Sequence, residues 1–136
     1  MAAPWGELSA VDLSSRKIVW RRPLGTTRDV APLGLPLPTG VFNIGGSVTT
    51  AGGVTFISAT IDNYLRAFDI DNGKELWKTR LPAGGQATPI SYVSQGTGIQ
   101  YIVITAGGHV PMMTKPGDYV LAYALPHDTS DATARP

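Results

Sequence analysis

A thirteen-residue pattern occurs twice in this chain, 57 positions apart, and that repeat restricts the fold more than any other feature. Residues 8–20 read Leu-Ser-Ala-Val-Asp-Leu-Ser-Ser-Arg-Lys-Ile-Val-Trp, and residues 65–77 read Leu-Arg-Ala-Phe-Asp-Ile-Asp-Asn-Gly-Lys-Glu-Leu-Trp. Leu8/Leu65, Ala10/Ala67, Asp12/Asp69, Lys17/Lys74 and Trp20/Trp77 coincide. Self-similarity at such a period is the mark of stacked supersecondary units. In each copy an alternating strand runs into a polar turn, and a second strand ends at Trp. Asp71-Asn72-Gly73 is a hairpin signal, because Asn and Gly accept φ > 0. Ser15-Arg16 replaces Asn-Gly in the first copy, so that turn is expected to be of another type or strained. Asp12 and Asp69 are placed to hydrogen-bond the backbone of the turn that follows. Trp20 and Trp77 are expected to be buried at equivalent places in adjacent units, each bringing a large apolar surface and one N–H donor.

The remaining segments alternate in the same style. Ser47–Thr50 and Val54–Thr60 are expected to pair around Ala51-Gly52-Gly53, Thr88–Ser94 and Gln100–Thr105 around residues 95–99, and Tyr119–Leu125 reads as a last strand. One complete four-strand unit is expected over residues 46–81, with a two-strand remnant at 7–23 before it and a three-strand remnant at 87–125 after it. Four antiparallel strands closed by a Trp describe a propeller blade. The expected fold is therefore all-β, a partial β-propeller occupying residues 1–126 and followed by a flexible tail at 127–136. Fewer than three repeats rarely bury a continuous core alone, so the chain is expected to be part of a longer propeller with exposed edges that invite self-association.

Composition agrees with short strands joined by turns. Only 15% of residues are charged, against about a quarter in an ordinary domain, while Gly (16) and Pro (11) are frequent. A net charge of +1 leaves no electrostatic footprint for nucleic acid. The absence of cysteine removes disulfides and thiolate metal sites. No run approaches the ~18–20 apolar residues of a membrane span. Met1-Ala2-Ala3-Pro4-Trp5 lacks the basic and apolar regions of a signal peptide, so any export signal or anchor is expected outside this chain. Residues 24–45, rich in Pro and Gly, form one long connection, and loops of that length are usually functional or disordered. Gly84-Gly85-Gln86 is not a phosphate loop, since no Gly-Lys-Ser/Thr follows. No Gly-x-Ser-x-Gly elbow is present, and His109 and His127 are too far apart for a helical zinc pair.

Ala67-Phe68-Asp69-Ile70-Asp71-Asn72-Gly73-Lys74-Glu75-Leu76-Trp77 resembles the tryptophan-docking motif of the pyrroloquinoline-quinone (PQQ) dehydrogenases. Leu81–Pro89 (Leu-Pro-Ala-Gly-Gly-Gln-Ala-Thr-Pro), Thr105-Ala106-Gly107-Gly108-His109 and Gly117–Pro126 are similar to the C-terminus of the membrane-bound glucose dehydrogenase branch and its relatives acting on quinate or other polyols. The resemblance implies the C-terminal blades of an eight-bladed propeller on the periplasmic side of the inner membrane. It implies PQQ on the ring axis beside Ca²⁺ or Mg²⁺, oxidation of a glucose-type sugar or a polyol, and ubiquinone as electron acceptor. The partners it implies are the remaining blades of the parent; no nucleic acid is expected from the charge, and the exposed blade edges leave room for a homo-oligomer. The catalytic Asp and Lys and most metal ligands of the family lie upstream, so no catalytic or metal residue is assigned here. The isolated chain is expected to be inactive and to hold no cofactor tightly.

Two segments are carried over as cofactor-binding. Ile44-Gly45-Gly46-Ser47 matches the family's Trp-Gly-Gly-Thr beside the cofactor, and Gly107-Gly108-His109 matches its Gly-Gly-Trp. Ile44 and His109 depart from the methanol-enzyme pattern and point to the sugar or polyol branch. His109 reads either as a contact to a carboxylate of the cofactor or as a loop histidine satisfied by solvent. Lys115 with Asp118, and Arg28 with Asp29, read most simply as surface pairs worth little energy. Asp62-Asn63-Tyr64 reads as a turn. The competing function is a non-catalytic propeller scaffold using the same Trp-ended repeat, which would have no need of the Gly-Gly-Gln-Ala-Thr-Pro and Gly-Gly-His segments.

Overall fold

The computed structural model describes residues 3–124 of the chain, so the tail expected at 127–136 lies outside the described residues. Among the described residues nine strands form three antiparallel sheets in sequence order. The first holds β1 (Glu7–Asp12) and β2 (Lys17–Pro23). The second holds β3 (Ser47–Thr49), β4 (Val54–Ile57), β5 (Tyr64–Asp69) and β6 (Glu75–Arg80). The third holds β7 (Ile90–Val93), β8 (Gln100–Ala106) and β9 (Tyr119–Ala124). β4 ends earlier than its apolar run suggests. Ala59 takes a left-handed φ of 59°, and the chain turns there toward β5.

The sheets stack face to face, which is how units with one apolar face each become stable. Leu24, Ile57, Ala59 and Phe68 form a buried cluster that meets Leu8 of the first sheet. Leu65, Leu81 and Ala83 pack with Ile102, Ile104 and Ala106 of the third. Each fully buried Leu or Ile contributes about 1.5–3 kcal/mol by leaving water.

The sequence repeat is a structural repeat down to its irregularities. The register slips between Ala10 and Val11 in one hairpin and between Ala67 and Phe68 in the other, opposite Trp20 and Trp77 respectively. These bulges re-aim the strand that carries the Trp. Asp12 accepts hydrogen bonds from the backbone N–H and hydroxyl of Ser14 and from the Ser15 hydroxyl. Asp69 accepts them from the backbone of Asp71 and Asn72. Gly73 takes φ +69° and Arg16, at the equivalent place, φ 56°. The two turns therefore share a conformation, and the first one carries the strain of a left-handed non-glycine residue.

Trp20 is half-buried. Its indole N–H donates to the carbonyl of Ile70 at 2.7 Å, and its ring lies on Gly73, where an added Cβ would fall 2.6 Å from Cδ2. Gly73 is thus required both for its φ and for its lack of a side chain. Trp77 departs from expectation: it is 41% exposed and meets Tyr123 edge-on at 5.4 Å. The turn that receives Trp20 follows β5, whereas the ring that Trp77 meets belongs to Tyr123 on β9 itself.

Candidate functional site

Because every strand pair is antiparallel, the short hairpin turns collect at one end of the sheets and the Gly-rich connections at the other. The second end gathers the residues before β3, between β4 and β5, before β7 and after β8. Both segments expected to bind cofactor, Ile44–Ser47 and Gly107–His109, lie at this end. Ile44 N–H donates to Ala59 O and Ala59 N–H to Gly85 O, both at 2.9 Å. Gly108 N–H donates to Gly84 O at 2.9 Å, and Gly84 N–H to Lys115 O at 3.0 Å. Residues 84–88 therefore lie between the two candidate segments and touch both.

The glycines are explained by this knitting. A Cβ on Gly45 (φ +145°) would lie 2.6 Å from the Gln86 carbonyl oxygen, and one on Gly46 would lie 2.3 Å from Thr88 Oγ1. On Gly108 (φ +77°) it would meet Lys115 O at 2.6 Å. All three positions need glycine to let neighbouring segments approach, whatever binds above them. Ile44 itself is about half exposed. The His109 ring is half-buried, and its Nδ1 is enclosed with no hydrogen-bond partner among the described residues. A buried polar atom without a partner costs free energy unless a ligand or water completes it.

Side chains tie this loop into the body of the molecule. His109 N–H donates to Thr114 Oγ1 at 2.8 Å, and that hydroxyl donates to Gln86 Oε1 at 3.1 Å. Gln86 Nε2 reaches the carbonyl of Thr60 at 3.3 Å. Thr60 Oγ1 donates to Asp62 Oδ1 at 2.6 Å. Asp62, fully buried, receives Arg66 through Nη1 to Oδ1 at 3.1 Å and Nη2 to Oδ2 at 2.5 Å. Oδ2 also accepts from the backbone and hydroxyl of Thr26. Burial alone would raise the Asp62 pKa. The Arg66 guanidinium and the Thr60 and Thr26 hydroxyls outweigh it, and the carboxyl stays ionised to below the usual carboxylate range. One polar chain thus runs from the long 24–45 connection to the His109 loop.

Asp62 is part of a turn as its sequence indicates, but it is also the anchor of a buried ion pair. The signal was Arg66 itself, flanked by Leu65 and Ala67 in a strand whose two faces are both buried. An arginine there needs a carboxylate. Asp29 pairs with Arg80 at 2.5 Å rather than with its neighbour Arg28. The side chain of Lys115 is exposed, and its backbone carbonyl is what holds Gly84. Thr114 carries no motif that sequence reasoning could have used. Among the described residues no group of three or more His, Asp or Glu side chains gathers as a metal site.

Residues 1–102 match the family described as "PQQ: Glucose/ethanol/alcohol dehydrogenase, beta-propeller domain". Over 125 residues, 90% of the chain, the sequence is 54% identical to quinoprotein glucose dehydrogenase A of Acinetobacter calcoaceticus. It is also 54% identical over 129 residues, 92% of the chain, to a probable quinate dehydrogenase (quinone) of Xanthomonas campestris pv. juglandis. The chain spans 15% of the length of the first relative and 16% of the second. In three dimensions it is similar to the quinohemoprotein alcohol dehydrogenase ADHIIG of Pseudomonas putida HK5. That match has a TM-score of 0.63 and 23% identity, and it covers 92% of this chain and 19% of that one.

Proposed function

The chain belongs to the β-propeller family of the PQQ-dependent glucose/ethanol/alcohol dehydrogenases, and from that premise we propose that it supplies the C-terminal blades of a dehydrogenase that oxidises a glucose-type sugar or a polyol. In this reading residues 7–23, 46–81 and 87–125 belong to three consecutive blades. The remaining blades come from the same parent, which faces the periplasm and passes electrons to ubiquinone. The observation that carries the reading is the 54% identity to a glucose enzyme across nine-tenths of the chain. The candidate segments Ile44-Gly45-Gly46 and Gly108-His109 gather at one end of the sheets, as a ligand on the ring axis requires.

PQQ fits what is present there. His109 Nδ1 is enclosed and unpaired, and when it carries a proton it is a donor for a carboxylate. The backbone of Ile44–Gly46 borders the same end, held in place by its contacts to Gln86 and Thr88. When bound, the quinone supplies the two-electron acceptor for the substrate. The residues of this chain orient it and shield it from water. The Ca²⁺ or Mg²⁺ of this reading takes its ligands from the rest of the parent.

Ile18, Val19 and Val11 are exposed on the first sheet, and Ile90, Val93 and Val120 on the third. Such outward apolar faces suit neighbouring blades, and in their absence a second copy of the chain. The isolated chain offers few of the contacts that bury a cofactor. It is expected to show no saturable binding of PQQ with Ca²⁺ at micromolar concentration, and to scatter light as a dimer or larger. In the full-length parent, His109→Ala is expected to weaken PQQ about tenfold, the loss of one charge-assisted hydrogen bond. Tight PQQ binding by a monomeric isolated chain, or unchanged affinity in the His109→Ala parent, would contradict the assignment.

A further inference from the structure

His109 is held in a way that leaves one of its ring nitrogens unsatisfied. Nδ1 is enclosed without a hydrogen-bond partner among the described residues, although the ring is only half-buried. A ring free to turn would bring that nitrogen to water, because a buried polar atom without a partner is costly. The surrounding structure must therefore restrain the residue.

The restraint is a closed turn from His109 to Thr114. Thr114, 8% exposed, accepts the His109 N–H on Oγ1 at 2.8 Å, and its own N–H donates to His109 O at 3.4 Å. The same hydroxyl donates to Gln86 Oε1 at 3.1 Å, so one oxygen accepts and donates at once. Gln86 is fixed in turn. The carbonyl of Thr60 can only accept, so Nε2 faces it at 3.3 Å and Oε1 is left for Thr114. Gly84 makes room for the pair: a Cβ there would fall 2.3 Å from Thr114 Oγ1 and 2.5 Å from Gln86 Oε1. The Gly84-Gly85-Gln86 segment thus holds the opposite loop twice. Gly84 takes the backbone of Gly108 and Lys115, and Gln86 takes the side chain of Thr114.

We propose that Thr114 and Gln86 are positioning residues for the cofactor contact of His109, a role that rests on the dehydrogenase reading above. They act through His109 alone. They hold its imidazole in the bound orientation before the cofactor arrives, which leaves less ordering for binding to do. The test is the PQQ affinity of the full-length parent, measured by calorimetric titration of the cofactor-free protein with Ca²⁺ present. Thr114→Val keeps the shape of the side chain and removes the acceptor for His109 N–H. It is expected to weaken PQQ about fivefold, the worth of one neutral hydrogen bond, and Thr114→Ser to restore the wild-type value. Gln86→Met, at a half-buried position, tests the same link should Val at 114 disturb folding, and is expected to weaken PQQ about threefold. In a His109→Ala background neither substitution should weaken PQQ further. A purely structural role would give the same loss in both backgrounds. Wild-type affinity in Thr114→Val, an equal loss in Thr114→Ser, or losses that multiply with that of His109→Ala would overturn the proposal and leave the cofactor assignment standing. Unchanged affinity in His109→Ala itself would remove that assignment and the positioning role with it. The imidazole ¹³C–¹H signals of the isolated chain, which has two histidines, give a reading that needs no PQQ. The His109 signal should shift in Thr114→Val and return in Thr114→Ser, and an unshifted signal would also overturn the proposal.

Discussion

Asp62→Ala is expected to lower the unfolding free energy by about 3–5 kcal/mol, because it leaves the Arg66 guanidinium buried without its carboxylate. Arg66 is 3% exposed, and its remaining acidic partner is Glu75, at 3.4 Å from Nε. A domain of this size has about 5–15 kcal/mol in all, so much of the variant should be unfolded at modest urea concentrations. Replacing Asp62 and Arg66 together by apolar residues of similar volume should cost far less, since no charge is then stranded. The wild-type pair also sets a pH limit. The folded pKa of Asp62 lies below its ordinary value of 3.8. Its contribution is therefore complete above about pH 4 and is lost as pH falls through the lower, folded value. Urea denaturation of the three proteins at pH 7 measures the difference. A single Asp62→Ala that costs less than about 1 kcal/mol would show that Arg66 finds solvent or another partner.

The two repeat tryptophans are expected to separate by their docking. Trp20→Ala removes a ring packed on Gly73 and the hydrogen bond to Ile70, and should cost about 3 kcal/mol, the lower end for a large aromatic. Trp77→Ala, from a ring that is 41% exposed, should cost about 1–2 kcal/mol for its partial burial and its edge contact with Tyr123. Thermal denaturation of the two variants side by side checks the ordering. Equal losses would mean that the hydrogen bond to Ile70 and the packing on Gly73 add nothing to Trp20 beyond what Trp77 gains from Tyr123.

Much of the fold is written in local chemistry. Trp20 and Trp77, the Asp12 and Asp69 turns and the alternating β5 sequence each state a strand or a turn within a few residues of themselves. The shared bulge is less visible, because nothing in Val19 or Leu76 marks an extra residue. Burial of Trp77 could not be read from its repeat position, since docking depends on the next unit rather than on its own. The same holds for the site. Gly45, Gly46 and Gly108 announce close backbone approach, but not that Gln86, Thr88 and Lys115 are what approaches. Asp62 and Thr114 belong to a network assembled from residues 26 to 114, and long-range partners of that kind leave no spacing to count.

If these residues are working blades of a quinone-dependent dehydrogenase, they should function inside a relative when the matching 15% of the Acinetobacter calcoaceticus glucose dehydrogenase is replaced by residues 1–126 of this chain. The chimera is then assayed for PQQ-dependent glucose oxidation with a dye acceptor. A folded chimera that binds PQQ and oxidises glucose is expected. A chimera that folds with the parental thermal stability yet neither binds PQQ nor turns over glucose would contradict it.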